Sequence, residues 1–238
     1  MDPLPDRLPL FPLQLVLLPG ELLPLHIFEE RYKNLVARCV ETREPFGVVL
    51  RLGDGVAAVG CLARLVAVLE EFPDGRSNIV VRGEAPFRIL AIDTPEDADQ
   101  EPMSAAVEYL EEEPTEEPEP AGTAEADALD APALLDELLR RLGAARGDDP
   151  SLGDEPVSPG DEEAPFDAED DDGRDQTQRS FRIAVDLDLG LSLKQRLLES
   201  RRESERLALI TDYLETIIPR LELIESRREA IRGNGKGD

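Results

Sequence analysis

LPLFPLQLVLLPGELLPLHIFEERY, residues Leu8–Tyr32, is almost wholly apolar, yet Pro9, Pro12, Pro19 and Pro24 divide it into pieces too short for a continuous helix. Proline removes a backbone donor and clashes inside a helix, so these pieces are expected to be extended. Pro19-Gly20 reads as a sharp turn between two strands. From Phe28 the pattern changes: Phe28, Tyr32, Leu35, Val36, Cys39 and Val40 recur at helical spacing, which predicts an amphipathic helix ended by Pro45.

The alternation that follows is β-like. Gly47–Leu52 reads as a short buried strand and Gly53-Asp54-Gly55 as a turn, with a long β-rich run over Ala57–Phe72. Pro73-Asp74-Gly75-Arg76 is a hairpin signal, and Ile79–Val81 is the returning strand. Gly83 is expected to interrupt it before a further strand over Phe87–Ile92, and Ser104–Leu110 is the last. Short strands, tight turns and one early helix give an α+β class with a compact β pseudo-barrel over residues 1–110.

Beyond the barrel the composition shifts. The 238 residues carry a net charge of −27, unevenly spread: residues 1–110 are net −8, 111–175 net −20 and 176–238 net +1. Residues 111–130, rich in Glu, Pro and Ala, cannot bury enough surface to offset chain entropy and read as an acidic, Pro-rich linker. Asp130 and Pro132 open a short helix over 131–145 with Leu134, Leu135, Leu138, Leu139 and Leu142 on one face. Residues 146–175, net −11, read as a disordered acidic insertion.

A C-terminal helical segment is expected over 176–232, with a frayed tail at 233–238. Within it, Phe181, Ile183, Val185, Leu187 and Leu189 alternate strictly, so local pattern alone says strand. Ser192 with Gln195 three residues later is a capping-box signature for a helix from Leu193. A last helix over Glu203–Ile231 carries Leu207, Ile210, Leu214, Ile217, Ile218, Leu221 and Ile224. Pro219 is expected to kink it, and Arg201, Arg202, Glu203, Glu205 and Arg206 to form a solvated face.

Taken together, Leu10-Phe11-Pro12-Leu13, Val16, Pro19-Gly20, Leu23-Pro24-Leu25, Ile27-Phe28-Glu29 and Arg31-Tyr32 resemble the opening signature of the Lon protease N-terminal, substrate-binding domain. Weaker matches follow in order: Gly60-Cys61, Pro73-Asp74-Gly75-Arg76, Gly83 with Phe87-Arg88-Ile89, and Leu191–Glu199. The likeness covers residues 8–110 and 131–218. It implies a PUA-like β pseudo-barrel followed by a small helical bundle, and makes Phe181–Leu187 helical, compatible with the i, i+4, i+8 spacing of Phe181, Val185 and Leu189. The sequence departs from the family at the 146–175 insertion and at Pro86, which puts local edge pairing in question.

Little in the sequence points to catalysis. A Lon protease also needs an ATPase module and a Ser-Lys peptidase module, and no Gly-x4-Gly-Lys-Ser/Thr loop is encoded. Lys33, Lys194 and Lys236 lack the apolar setting of a lysine base. His26 is the single histidine and reads as a strand residue satisfied locally. Glu29 and Glu30 resemble an acid–base pair, but Glu29 with Arg31 reads more simply as a pin at the strand–helix junction. Asp170-Asp171-Asp172-Gly173 fails as a calcium loop, because aligning Gly173 puts Ala168 and Arg179 at the first and last ligand positions. Cys39 and Cys61 form neither a metal nor a disulfide pattern and read as buried side chains.

No catalytic, metal or cofactor-binding residue is expected, and no cofactor. The N-terminus lacks a basic signal-peptide region and the prolines break any membrane span, so a soluble cytoplasmic protein is expected. The resulting expectation is a non-enzymatic, stand-alone binding module for unfolded or exposed apolar protein segments, an adaptor in protein quality control or proteolysis with a protease or chaperone as partner. The substrate-binding residues are not identified at this level. The alternative is an RNA-binding PUA-like domain using Arg64, Arg82 and Arg88, against which stand the acidic balance and 4% aromatic content.

Overall fold

The computed structural model describes residues 4–113, 135, 138–140, 179–187 and 189–233. The chain divides into two compact units, Met1–Thr115 with Gln178–Glu203, and Glu116–Thr177 with Ser204–Asp238. The linker (111–130), short helix (131–145) and acidic insertion (146–175) expected from sequence lie largely outside the described residues. Of that helix, Leu135 and residues 138–140 are helical, and Leu135 and Leu138 are buried.

The first unit holds a β-barrel. Its elements are β1 (Arg7–Leu13), β2 (Leu22–Ile27), α1 (Glu30–Thr42), β3 (Phe46–Leu52), β4 (Gly55–Val56), β5 (Val59–Glu71), β6 (Ser77–Asp93) and β7 (Ser104–Tyr109). Strand β1 pairs antiparallel with β7 through Arg7–Pro9 and parallel with β3 through Leu10–Leu13. The order β1-β7-β6-β5-β3 thus returns to β1 and closes, with β4 added to β3 and β2 to β6. Pro9 and Pro12 each sit where β1 has one neighbouring strand, so a missing N–H can face the unpaired side.

The barrel interior is built from Leu8, Leu10, Val49, Leu62, Phe87, Ala105 and Val107. Phe87 is fully buried, and Gly47 and Gly60 make room for its ring: a Cβ at either would lie within 2.8 Å of ring atoms. Such close packing leaves no slack for an added methyl group.

Several expectations change at this level. Gly83 does not interrupt the return strand; β6 runs unbroken over Ser77–Asp93. The glycine is there for close approach, since a Cβ would meet the Leu18 carbonyl oxygen at 2.2 Å. Pro86 is accommodated at a register shift opposite Cys61, and its carbonyl accepts the Leu110 N–H at 2.9 Å. Helix α1 buries Tyr32, Leu35, Val36 and Cys39 as its spacing requires, but Phe28 and Val40 are exposed.

Two short helices complete this unit, α2 (Arg179–Asp186) and α3 (Leu191–Glu199). Residues 181–186 are helical, not extended: Ser180, Phe181 and Ala184 are buried on one face while Val185 is not. Helix α3 starts two residues before the expected Leu193, with Gly190 as its N-cap and no side-chain cap bond. Gln195 instead donates to the Val59 carbonyl at 3.0 Å, tying α3 to the start of β5.

The second unit contains α4 (Glu203–Gly233), which continues through Pro219. Arg206, Ile210, Leu214 and Ile218 are buried along it. Their spacing of four places Arg206 on the apolar stripe, so it does not belong to a solvated face. Ile224, expected on the apolar side, is exposed. Among the described residues no helix is long and apolar enough to cross a membrane.

Candidate functional groove between helix α1 and the free edge of strand β5

Strand β5 outruns one of its partners. It pairs with β3 only through Cys61–Ala63, whereas its pairing with β6 continues to Glu71. From Arg64 onward β5 therefore has β6 on one side and no strand on the other. An unpaired edge carries a row of backbone donors and acceptors that invites another chain unless it is covered or distorted. Here both devices operate in part. Register shifts fall between Leu65 and Ala67 and between Val68 and Glu70, leaving Val66 and Leu69 as the extra residues. Helix α1 lies alongside, but not in full contact.

The gap holds two depressions that share Val40. One, of about 590 Å³, is lined by Cys39, Val40, Arg43 and Glu44 on the helix side and by Arg64–Val68 on the strand side. The other, of about 310 Å³, is lined by Val36, Ala37, Val40 and Glu41 against Glu71, Phe72, Gly75 and Ser77, with Lys33 and Arg76 at its rim. Val40 borders both, and it is half exposed at 50%. The floor is apolar and the rim carries charges of both signs.

Two polar pins set the width. At one end Arg64 donates through Nε and Nη2 to the Glu84 carboxylate (2.6 and 3.2 Å) and through Nη1 to the Arg43 carbonyl (3.0 Å). Arg43 is the left-handed C-cap of α1, so the guanidinium satisfies a helix-end carbonyl and meets the negative end of the helix dipole. The Glu84 bond raises the Arg64 pKa above its ordinary value. At the other end Lys33 donates to the Asp74 carbonyl in the β5–β6 turn at 2.9 Å. The Arg76 backbone N–H, followed by its side chain, holds the Asp74 carboxyl below the ordinary carboxylate range.

The residues singled out from sequence are dispersed. His26 is exposed on β2 and its Nδ1 lies 2.7 Å from Asn78 Oδ1. Glu29 pairs with Arg31 at the strand–helix junction, and Glu30 with Lys33 at 3.3 Å, so the two glutamates are separately engaged. Lys194 is largely covered and donates to Glu21 at 2.8 Å, an ion pair rather than an apolar setting. Cys39 and Cys61 are buried free thiols; burial pushes Cys39 up to about 11 and Cys61 further. Arg64 and Arg82 are cross-strand neighbours, while Arg88 lies further along β6 opposite Glu108. Asp170–Gly173 and Lys236 fall outside the described residues.

Sequence reasoning missed the groove itself. Ala37, Val40, Val66 and Phe72 carry no chemical motif. The one available signal was the adjacent apolar pairs Leu65-Val66 and Val68-Leu69, which strict alternation cannot place on one face.

Comparison with known proteins agrees with this architecture. The chain is similar to the Lon N-terminal domain protein from Xanthomonas campestris, with 24% identity, a TM-score of 0.58, and coverage of 87% of this chain and 98% of that one. It is also similar to the N-terminal domain of Mycobacterium avium complex Lon protease, with 19% identity, a TM-score of 0.53, and coverage of 88% and 98%. At these identities the likeness establishes the fold. The family described as ATP-dependent protease La (LON) substrate-binding domain matches residues 7–216, barrel and following helices together, and the chain belongs to that family.

Proposed function

We propose that this protein is a binding module without catalysis of its own, which takes extended apolar segments of other proteins into the α1–β5 groove. The observation that carries the reading is the stretch of β5 beyond Ala63, unpaired on one side and facing Ala37 and Val40 across an apolar floor. An extended peptide has what such a groove accepts: alternate side chains for the depressions and a backbone for the edge. The register shifts at Val66 and Leu69 restrict edge pairing to short stretches, so side-chain burial supplies most of the affinity. Kinship with a protease substrate-binding domain supports unfolded or exposed apolar segments as ligands, and an adaptor role in proteolysis or protein quality control. Two cysteines kept as buried thiols suit a cytoplasmic setting.

The test is a nuclear magnetic resonance titration with an extended apolar peptide, such as alternating Val and Thr flanked by charged residues. Saturable shifts are expected at Ala37, Val40 and Val66. Val40→Asp is expected to weaken binding at least about tenfold without changing the melting temperature, since the side chain is already half exposed. Absence of saturable binding, or binding indifferent to Val40→Asp, would sink the reading.

A further inference from the structure

A second surface is the outward face of the sheet that β5 forms with β6 and β2; at its β5 margin it shares Arg64, Val66 and Ala67 with the groove. Residues Ser77–Arg82 of β6 are paired with β2 on one side and β5 on the other, forming a three-stranded patch. Directly paired residues share a face, so the register defines three rows. The first is Leu22, Arg82 and Arg64; the second is Pro24, Val80 and Ala67; the third is His26, Asn78 and Glu70. Hydrogen bonds confirm the third row, as Asn78 Oδ1 accepts from His26 Nδ1 at 2.7 Å and its Nδ2 donates to Glu70 at 2.9 Å. The register shifts leave Val66 and Leu69 as extra residues beside Ala67 and Glu70, with Val66 also bordering the groove.

The face is apolar in its middle and polar at both ends. Leu22, Val66 and Leu69 are 53%, 40% and 64% exposed. The cationic end is uneven: Arg64 is neutralised by Glu84, but Arg82 is exposed and has no hydrogen-bond or ion-pair partner among the described residues. An unpaired cation at the margin of an apolar patch, in a unit with an acidic balance, matches a ligand that brings its own carboxylate.

Strand addition is not the binding mode here. Pro24 sits mid-way along the outer strand β2 and lacks the N–H that a further strand would need. What fits this outward sheet face is a helix. Three strands about 4.8 Å apart make a strip about 10 Å wide, the diameter of one α-helix. Three rows spaced two residues apart run about 13 Å, or about nine helical residues.

We infer that the outer face of the β2–β6–β5 sheet docks a short amphipathic helix of a partner protein, its apolar stripe on Leu22 and Val80 and a carboxylate on Arg82. Leu22, Val80 and Arg82 line neither depression of the groove, so an adaptor could hold an extended segment and a folded partner together.

The probe is a pair of stapled helical peptides of about ten residues, with the same leucine stripe but ending in Glu or in Lys. The expected result is saturable shifts at Leu22, Val80 and Arg82 with the Glu peptide, bound at least about tenfold tighter than the Lys peptide. Arg82→Glu reverses that preference, and Leu22→Asp weakens both. Val40→Asp, which disables the groove, leaves this binding unchanged, so the two proposals fail independently. Equal binding of both peptides, an unaltered preference in Arg82→Glu, or shifts confined to Val36 and Val40 would overturn the inference.

Discussion

Gly83 shows how a single position ties the barrel to the loop that enters it. Its N–H donates to the Glu21 carbonyl at 3.0 Å and its carbonyl accepts the Gly20 N–H at 2.8 Å, so two backbone segments lie in direct contact. Glu21 itself accepts the Leu18 N–H at 2.9 Å and the Lys194 ammonium at 2.8 Å, extending the junction to α3. A methyl group at 83 meets backbone, which cannot swing aside as a flexible side chain would. Gly83→Ala is expected to cost about 2–4 kcal/mol, read as a lower urea midpoint at unchanged slope. Gly55→Ala is the control: its nearest atom would be the Leu52 oxygen at 3.8 Å, and the midpoint is expected to move by no more than about 0.5 kcal/mol equivalent. The glycine was legible in the sequence as a break in an apolar run. Its reason was not, because the atom it avoids belongs to a residue 65 positions away.

At the scale of elements, α1 is the part that both the barrel and the groove depend on. Its C-cap Arg43 adopts the left-handed conformation at φ 59°, with its N–H on the Cys39 carbonyl at 2.9 Å. That conformation costs a residue with a Cβ about 1 kcal/mol that glycine avoids. Arg43→Gly keeps the carbonyl that Arg64 binds and is expected to stabilise the domain by about 0.5–1 kcal/mol, measured as a raised urea midpoint. The inward face of α1 was readable from spacing alone, because Tyr32, Leu35, Val36 and Cys39 repeat at helical period. Val40 fits the same period yet stays half exposed at the groove, and Phe28 lies ahead of the helix, which begins at Glu30. In α2 the ambiguity was intrinsic: an alternating run also satisfies i, i+4, i+8, and only packing chose the helix.

For the whole molecule, four acids that burial keeps protonated shape the response to alkaline pH. Cys39 rises from 9.0 to about 11 and Tyr109 from 10.0 to about 12, both chiefly through burial, and Cys61 and Tyr32 are raised for the same reason. A raised folded-state pKa means that the unfolded chain loses its proton first as the pH climbs. The stability these groups contribute is complete below about pH 9 and declines as pH rises through about 11 and then 12. Urea midpoints are expected to be insensitive to these four groups between pH 7 and 9 and to fall above it. Replacing Cys39 and Cys61 by alanine should flatten the first part of that fall; an unchanged slope in the double variant would count against the assignment.

By itself the sequence determined the extended character of Leu8–Ile27, the helix after it, the β5–β6 hairpin and the alternation of the barrel strands, all set by proline, turn residues and period within a few neighbours. It also carried the family likeness in that same opening stretch. Only the tertiary structure decided that β1 closes the barrel by pairing with β3 and β7 at once, that β5 runs past its neighbour, and that the shifts at Val66 and Leu69 turn apolar side chains outward. Those features arise where distant strands meet out of step in length and register, and no window of local sequence contains both partners of such a mismatch.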